Sequence, residues 1–210
     1  MSDASSNPGA APRNDAAARA RAIRHLWQLS GQPGQHRQAY LYAIIDAARD
    51  ERIYPALRQL AAKEEIVSLY QGPSARELAA VAPYLVCLGT SDRVFDWLWK
   101  DGWGQDWGIF LWSLVSTSTM RDHFRRLTMV RTEANKRLLF RFYDPRVLRP
   151  FLPTCDAAQL REMFGTVVSR FMVPSSDGTS VDVFRTNAGQ LLTSRFDLTG
   201  AAEPPPITRP

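Results

Sequence analysis

The chain has 210 residues, 45% of them hydrophobic and 22% charged, which fits one globular domain with a small appendage. That balance excludes a collagen-like, wholly disordered or disulfide-scaffold chain. The formal net charge is +5, and residues 118–150 hold nine Lys/Arg against three Asp/Glu, so the remainder nearly cancels. A local basic stretch can steer an acidic partner, protein or nucleic acid, without choosing between them.

The N-terminal segment lacks the apolar core of a secretory signal. The longest apolar stretch, residues 107–115, is far short of the roughly 20 residues a membrane helix needs. Cys87 and Cys155 make neither a disulfide framework nor a zinc spacing and suit the reducing cytoplasm.

Residues 1–13 read as disordered, and Ile23, Leu26 and Trp27 mark a helix within residues 14–30. An α/β body is expected over residues 36–150. Its five short strands are the apolar runs 40–45, 66–70, 84–88, 107–114 and 138–143. Helical patterns lie between them: Ile53/Leu57/Leu60, a capping-box helix from Ser74, one opened by Asp92, and one with Met120, Phe124 and Leu127 on a single face. Such runs predict an α/β fold, a sheet with helices on both faces. A small C-terminal region follows over residues 151–198. It holds a helix at 156–164 and three weakly alternating segments that suit an antiparallel meander. The remainder, residues 199–210, is Pro-rich tail.

Candidate chemistry is sparse. Gly102, Gly104 and Gly108 miss the spacing of a dinucleotide loop and read as a turn with aromatic anchors. No metal site or cofactor is expected, because His25, His36 and His123 share no ligand spacing; His123, beside Arg125 and Arg126, reads as a surface residue. No catalytic residue is assigned. Cys155, at a helix start, is open to a lowered pKa, with Thr154 as the alternative cap explanation. Asp46 ends the first apolar run, either as a site at a strand end or as an Asx turn, with the turn favoured. Of the clustered tryptophans, Trp103 and Trp107 lie beside glycines and read as contact residues. Arg121, Arg125 and Arg126 form a basic helix face.

One segment goes beyond pattern: Arg141-Phe142-Tyr143-Asp144-Pro145-Arg146. Taken with Tyr42-Ala43-Ile44-Ile45-Asp46, Pro83-Tyr84-Leu85-Val86, Gly102-Trp103, Trp107-Gly108-Ile109-Phe110-Leu111 and Phe151-Leu152-Pro153, it resembles the effector chaperones (adaptor proteins) of bacterial type VI secretion. The resemblance covers roughly residues 40–167 and implies a cytoplasmic, non-enzymatic protein. Such a chaperone binds a toxic effector and helps load it onto a spike (VgrG-type) protein. Many members carry a larger helical C-terminal lobe; here a short, β-rich region stands in its place. On this reading Trp103, Trp107, Arg121, Arg125, Arg126, Arg141, Asp144 and Arg146 bind protein partners, and neither membrane nor nucleic acid is a partner. Arg141 can pair with Asp144, with Asp46 or with a partner's carboxylate, and the alternative to partner contact is that Arg141, Asp144 and Arg146 form an internal structural network. The rival readings are a nucleic-acid-binding module using residues 118–150 and a hydrolase built around Asp46 and His123.

Overall fold

A computed structural model describes residues 40–62, 65–88, 92–131 and 137–198. The expected disordered start, the helix within 14–30 and the Pro-rich tail lie outside these residues.

Strand β1 (Tyr40–Asp46) is the middle of the molecule. It pairs antiparallel with β3 (Pro83–Cys87) on one side and with β4 (Gly108–Ser113) on the other. Beyond β3 lies β2 (Ile66–Ser68); beyond β4 come β7 (Val168–Pro174), β8 (Ser180–Asn187) and β9 (Gln190–Asp197). The order is β2-β3-β1-β4-β7-β8-β9, and every neighbouring pair is antiparallel. Two short strands, β5 (Met129–Arg131) and β6 (Arg137–Leu139), form a separate ribbon.

The sequence explains the central strands. Alternate residues of a strand face opposite ways. Leu41, Ala43 and Ile45 enter one core with α1 (Ile53–Leu60) and α3 (Asp92–Trp97), while Tyr42 and Ile44 enter a second core. Met120, Phe124 and Leu127 of α4 (Thr117–Leu127) build that second core together with α5 (Pro145–Phe151) and α6 (Ala157–Phe164). With both faces covered, apolar residues are needed at every position, hence the unbroken runs.

The α/β class holds, and three expectations change. The sheet has seven strands rather than about five, because the C-terminal meander is not a separate small region: β7 hydrogen-bonds to β4 and continues the same sheet. The fifth expected strand stops early. Only Arg137–Leu139 is extended, in the ribbon, and Leu138 is 50% exposed. Phe142 and Tyr143 then both turn inward, which strand alternation forbids, because Asp144-Pro145 opens α5 directly behind them. The helix of α2 (Ser74–Glu77) also starts differently from expectation, with Pro73 at its N-cap and no side-chain capping bond.

β3 and β4 run parallel to each other with β1 inserted between them, and α3 crosses from one to the other. The helix-linked pattern is therefore a split unit.

Gly108 sets how closely β1 and β4 approach. A Cβ there would lie 2.1 Å from the Ile44 carbonyl oxygen, which the ladder holds in place. Gly108→Ala should therefore cost about 3 kcal/mol or more in urea unfolding. Gly72→Ala, where no atom lies within 4 Å but φ is +61°, should cost about 1 kcal/mol. Equal costs would show that β1 and β4 can separate to accept the methyl.

Candidate partner-binding site

Asp46 is the last residue of β1 and is 1% exposed. Its carboxylate accepts the Ala48 N–H at 3.1 Å, which starts the 3-10 turn Ala47–Arg49, and also accepts the Arg141 guanidinium. The expected Asx turn is present, and of the partners open to Arg141, Asp46 is the one it takes. Buried carboxylates need such company, since an uncompensated buried charge is strongly destabilising.

The rest of the Arg-Phe-Tyr-Asp-Pro-Arg block is equally committed to the fold. Phe142 stacks on Phe124 with centroids 5.3 Å apart. Tyr143 is buried, which together with nearby Tyr70 and Asp46 pushes its phenol well above its ordinary pKa. Asp144 caps α5 by accepting the Arg146 N–H at 3.0 Å, with Pro145 at the first helical position. The same carboxylate takes Nε and Nη2 of Arg146 at 3.0 and 2.7 Å, a bidentate pair. Arg141, Asp144 and Arg146 thus form internal pairs, although both arginine side chains stay partly exposed.

A third buried carboxylate escaped the sequence reading. Asp182 of β8 accepts from Arg149 at 3.0 Å and from Arg195 at 2.6 and 3.0 Å. Local sequence gave no signal, because an aspartate alternating with Val181 and Val183 reads as the solvent side of a strand. Arg149 also donates to the Pro174 carbonyl, fastening α5 to the far half of the sheet.

Trp103 and Trp107 are core residues, 2% and 4% exposed, and do not present a contact surface. Trp103 packs on Trp99 with centroids 4.6 Å apart, and its indole N–H donates to the Gly178 carbonyl at 2.9 Å. Trp107 packs on Trp97. That partner carbonyl lies 75 residues away, which is why local sequence did not reveal the burial. The cleft beside Trp103 and Asp106 has about 20 Å³ of free volume, room for a water rather than a substrate.

His123 is likewise buried rather than on the surface. Its Nε2 lies 2.9 Å from the Met163 carbonyl, an acceptor, so that nitrogen carries the proton; burial lowers the ring's pKa and keeps it neutral. His123 and Asp46 belong to separate networks. Cys155 moves opposite to the sequence expectation: burial, with Asp156 adjacent, pushes its thiol up, and Asp156 rather than Thr154 caps α6. Among the described residues, no group of three His, Cys, Asp or Glu is placed to hold a metal ion. No described helix is long and apolar enough to cross a membrane.

Among the described residues, the outer face of α4 and the ribbon that follows it are open to a partner. Arg126 is exposed, Arg121 pairs with Asp122 at 2.8 Å on the surface, and Arg125 is half-buried, donating to the Ser68 carbonyl at 2.9 Å. Met129, Leu138 and Leu139 stand exposed on the ribbon, with Met129 opposite Leu139. Apolar side chains this exposed beside several arginines form a surface of mixed apolar and basic character.

The family model described as a domain of unknown function (DUF4123) matches residues 41–162. The chain belongs to that family. The DUF4123 span runs from β1 into α6 and takes in the Asp46–Arg141 and Asp144–Arg146 pairs, while Asp182 and β7–β9 lie beyond it although those strands complete its sheet. No curated protein and no solved structure matches the chain.

The Asp144 cap carries a pH signature. Burial raises this carboxyl's pKa, and the hydrogen bonds and charge of Arg146 outweigh it, so the folded value is depressed. A depressed carboxyl contributes stability above its unfolded pKa of about 3.9 and loses that contribution as pH falls through the folded value. Asp144→Asn should lower stability at pH 7 by about 1 kcal/mol while keeping the cap, and should flatten the loss of stability below pH 4. Parallel urea curves for the two proteins from pH 7 to pH 2.5 would remove the charge from the account.

Proposed function

We propose that this protein is a cytoplasmic, non-enzymatic chaperone that binds a type VI secretion effector and helps load it onto the spike protein. The observation that carries the reading is the DUF4123 match over 41–162, which coincides with the span that resembles the effector chaperones. The surface is compatible: the exposed apolar ribbon and Arg126 offer an acidic, partly apolar polypeptide a place to dock, with charge steering the encounter.

Partner contact shifts accordingly from Trp103 and Trp107 to Arg121, Arg126, Met129, Leu138 and Leu139. The nucleic-acid reading is the weaker one, since Arg125, Arg141, Arg146 and Arg149 of the basic stretch are each engaged by the fold. Phosphate binding would also make affinity fall steeply with salt.

The test is purification of the tagged full chain from its own bacterium, with mass spectrometry of what stays bound. The adaptor reading expects a spike protein together with a large toxin-like polypeptide. Nucleic acid alone, or no protein partner while the secretion system is expressed, would overturn it. Arg126→Glu combined with Leu138→Asp should reduce recovery of a partner at least tenfold without changing the melting temperature. Arg125→Glu is unsuited to this purpose because Arg125 also ties α4 to β2. Undiminished recovery with the double variant would move the docking surface elsewhere.

A further inference from the structure

The ribbon of β5 and β6 stands off the body. Its register sets Met129 against Leu139 and Val130 against Leu138. Neighbouring residues of a strand face opposite ways, so Met129 and Leu139 lie on one face and Leu138 on the other. Met129 is 49% exposed, Leu139 43% and Leu138 50%. Both faces of the ribbon therefore meet solvent, whereas a ribbon lying flat on the body would bury one of them. It forms a sheet of its own, and its main packing is on α4, which leads into it.

Its base is firm. Leu127 and Thr128 are buried, the Phe140 N–H donates to the Thr128 carbonyl at 3.0 Å, and the Thr128 hydroxyl donates to the Arg125 carbonyl at 2.9 Å. Phe140 packs edge-on against Phe151 of α5, with centroids 4.9 Å apart. An isolated two-stranded ribbon is marginal in water, so the conformation of this one depends on that base. The exposed leucines and methionine add nothing to the anchorage, and polar strand formers such as threonine would suit a solvated ribbon better. Large apolar groups on both faces mark a surface built to be covered.

Charge selects the occupant. Residues 121–139, which span α4 and the ribbon, contain six Lys/Arg against two Asp/Glu, a formal +4. Arg125 donates to a neutral carbonyl, which leaves its charge uncancelled. A second copy of the chain would bring the same +4 against this surface. The chain's own apolar segment at residues 14–30 carries Arg19, Arg21 and Arg24 against Asp15 and has the same sign. Both are disfavoured relative to a partner of opposite charge. We infer that the ribbon is an insertion arm, and that a partner polypeptide closes an apolar groove with an acidic rim over both of its faces. The inference rests on the reading of this surface as the docking site, and not on which protein docks there.

The test places a photoreactive phenylalanine analogue at position 138 or at position 139 of the full chain, in its own bacterium, and identifies the crosslinked peptides by mass spectrometry. Both positions should crosslink to one and the same partner, on peptides of net negative charge. Leu138→Asp and Leu139→Asp should each lower recovery of that partner at least tenfold, with the melting temperature unchanged within a few degrees. Leu114→Asp, at the other end of α4 and 44% exposed, should leave recovery unchanged. Crosslinks from one face only would overturn the arm in favour of a flat contact. Crosslinks to a second copy, to residues 14–30 or to basic peptides would overturn the acidic partner, and none from either position would overturn both. Crosslinks from both faces to a protein unconnected with secretion would keep the arm and remove the adaptor reading. Crosslinks from one face to the spike protein or toxin would do the reverse.

Discussion

The buried carboxylate of Asp46, met by a guanidinium 95 residues further along the chain, is the constraint on which the architecture turns. Asp46 ends the central strand. Its backbone N–H still pairs at 2.8 Å with the carbonyl of Trp107, the residue just before β4, and its side chain begins the turn that sends the chain toward α1 on the first face. Arg141 reaches it from the segment entering α5, which lies on the second face. One carboxylate thus fixes where β1 stops and where the turn starts, and anchors the segment that leads into α5. Two more buried aspartates repeat the arrangement: Asp144 at the start of α5, and Asp182 further along the sheet, tied to α5 by Arg149. The Arg141–Asp46 and Arg149–Asp182 pairs thus fasten the α5 segment to the sheet, while Asp144–Arg146 holds the helix start itself. Replacing such pairs by apolar groups can be neutral, whereas removing one partner is costly. Their arginines are already engaged, whereas the outer face of α4 and the ribbon are open to association.

Much of this was legible in the sequence, for a physical reason. β1, β3 and β4 are covered on both faces, so they read as compact apolar runs, and Met120, Phe124 and Leu127 fall on one helix face by spacing alone. Asp46 read as an Asx turn because aspartate after an apolar run ends a strand in that way. Strand direction was not legible. A run buried on both faces carries no mark of orientation, and a helical connection suits both adjacent parallel strands and the split arrangement found here. Nor did the meander of β7–β9 reveal that it joins the main sheet, since that depends on β4 having an open side.

The errors at the candidate site share one cause: their partners lie far along the chain. Trp103 sits among glycines and polar residues and looked exposed, yet its N–H is satisfied by the β7–β8 turn. His123 sits among arginines and looked exposed, yet its ring meets a carbonyl of α6. The Arg141–Arg146 block is a different case: the sequence left it open between an internal network and partner contact, and each of its charges has an internal partner. Local composition reports the neighbours in sequence, while burial depends on neighbours in space.

A double-mutant cycle on Asp46→Asn and Arg141→Gln, read by urea unfolding at pH 7, tests this account most directly. If the pair is the junction of strand, turn and helix, each single change destabilises and the two are coupled by about 1–2 kcal/mol, the scale expected for contacting residues. Additive effects would contradict it: Arg141 would then be a surface residue whose contact with Asp46 does not shape the fold, and the block would return to consideration as a partner-binding motif.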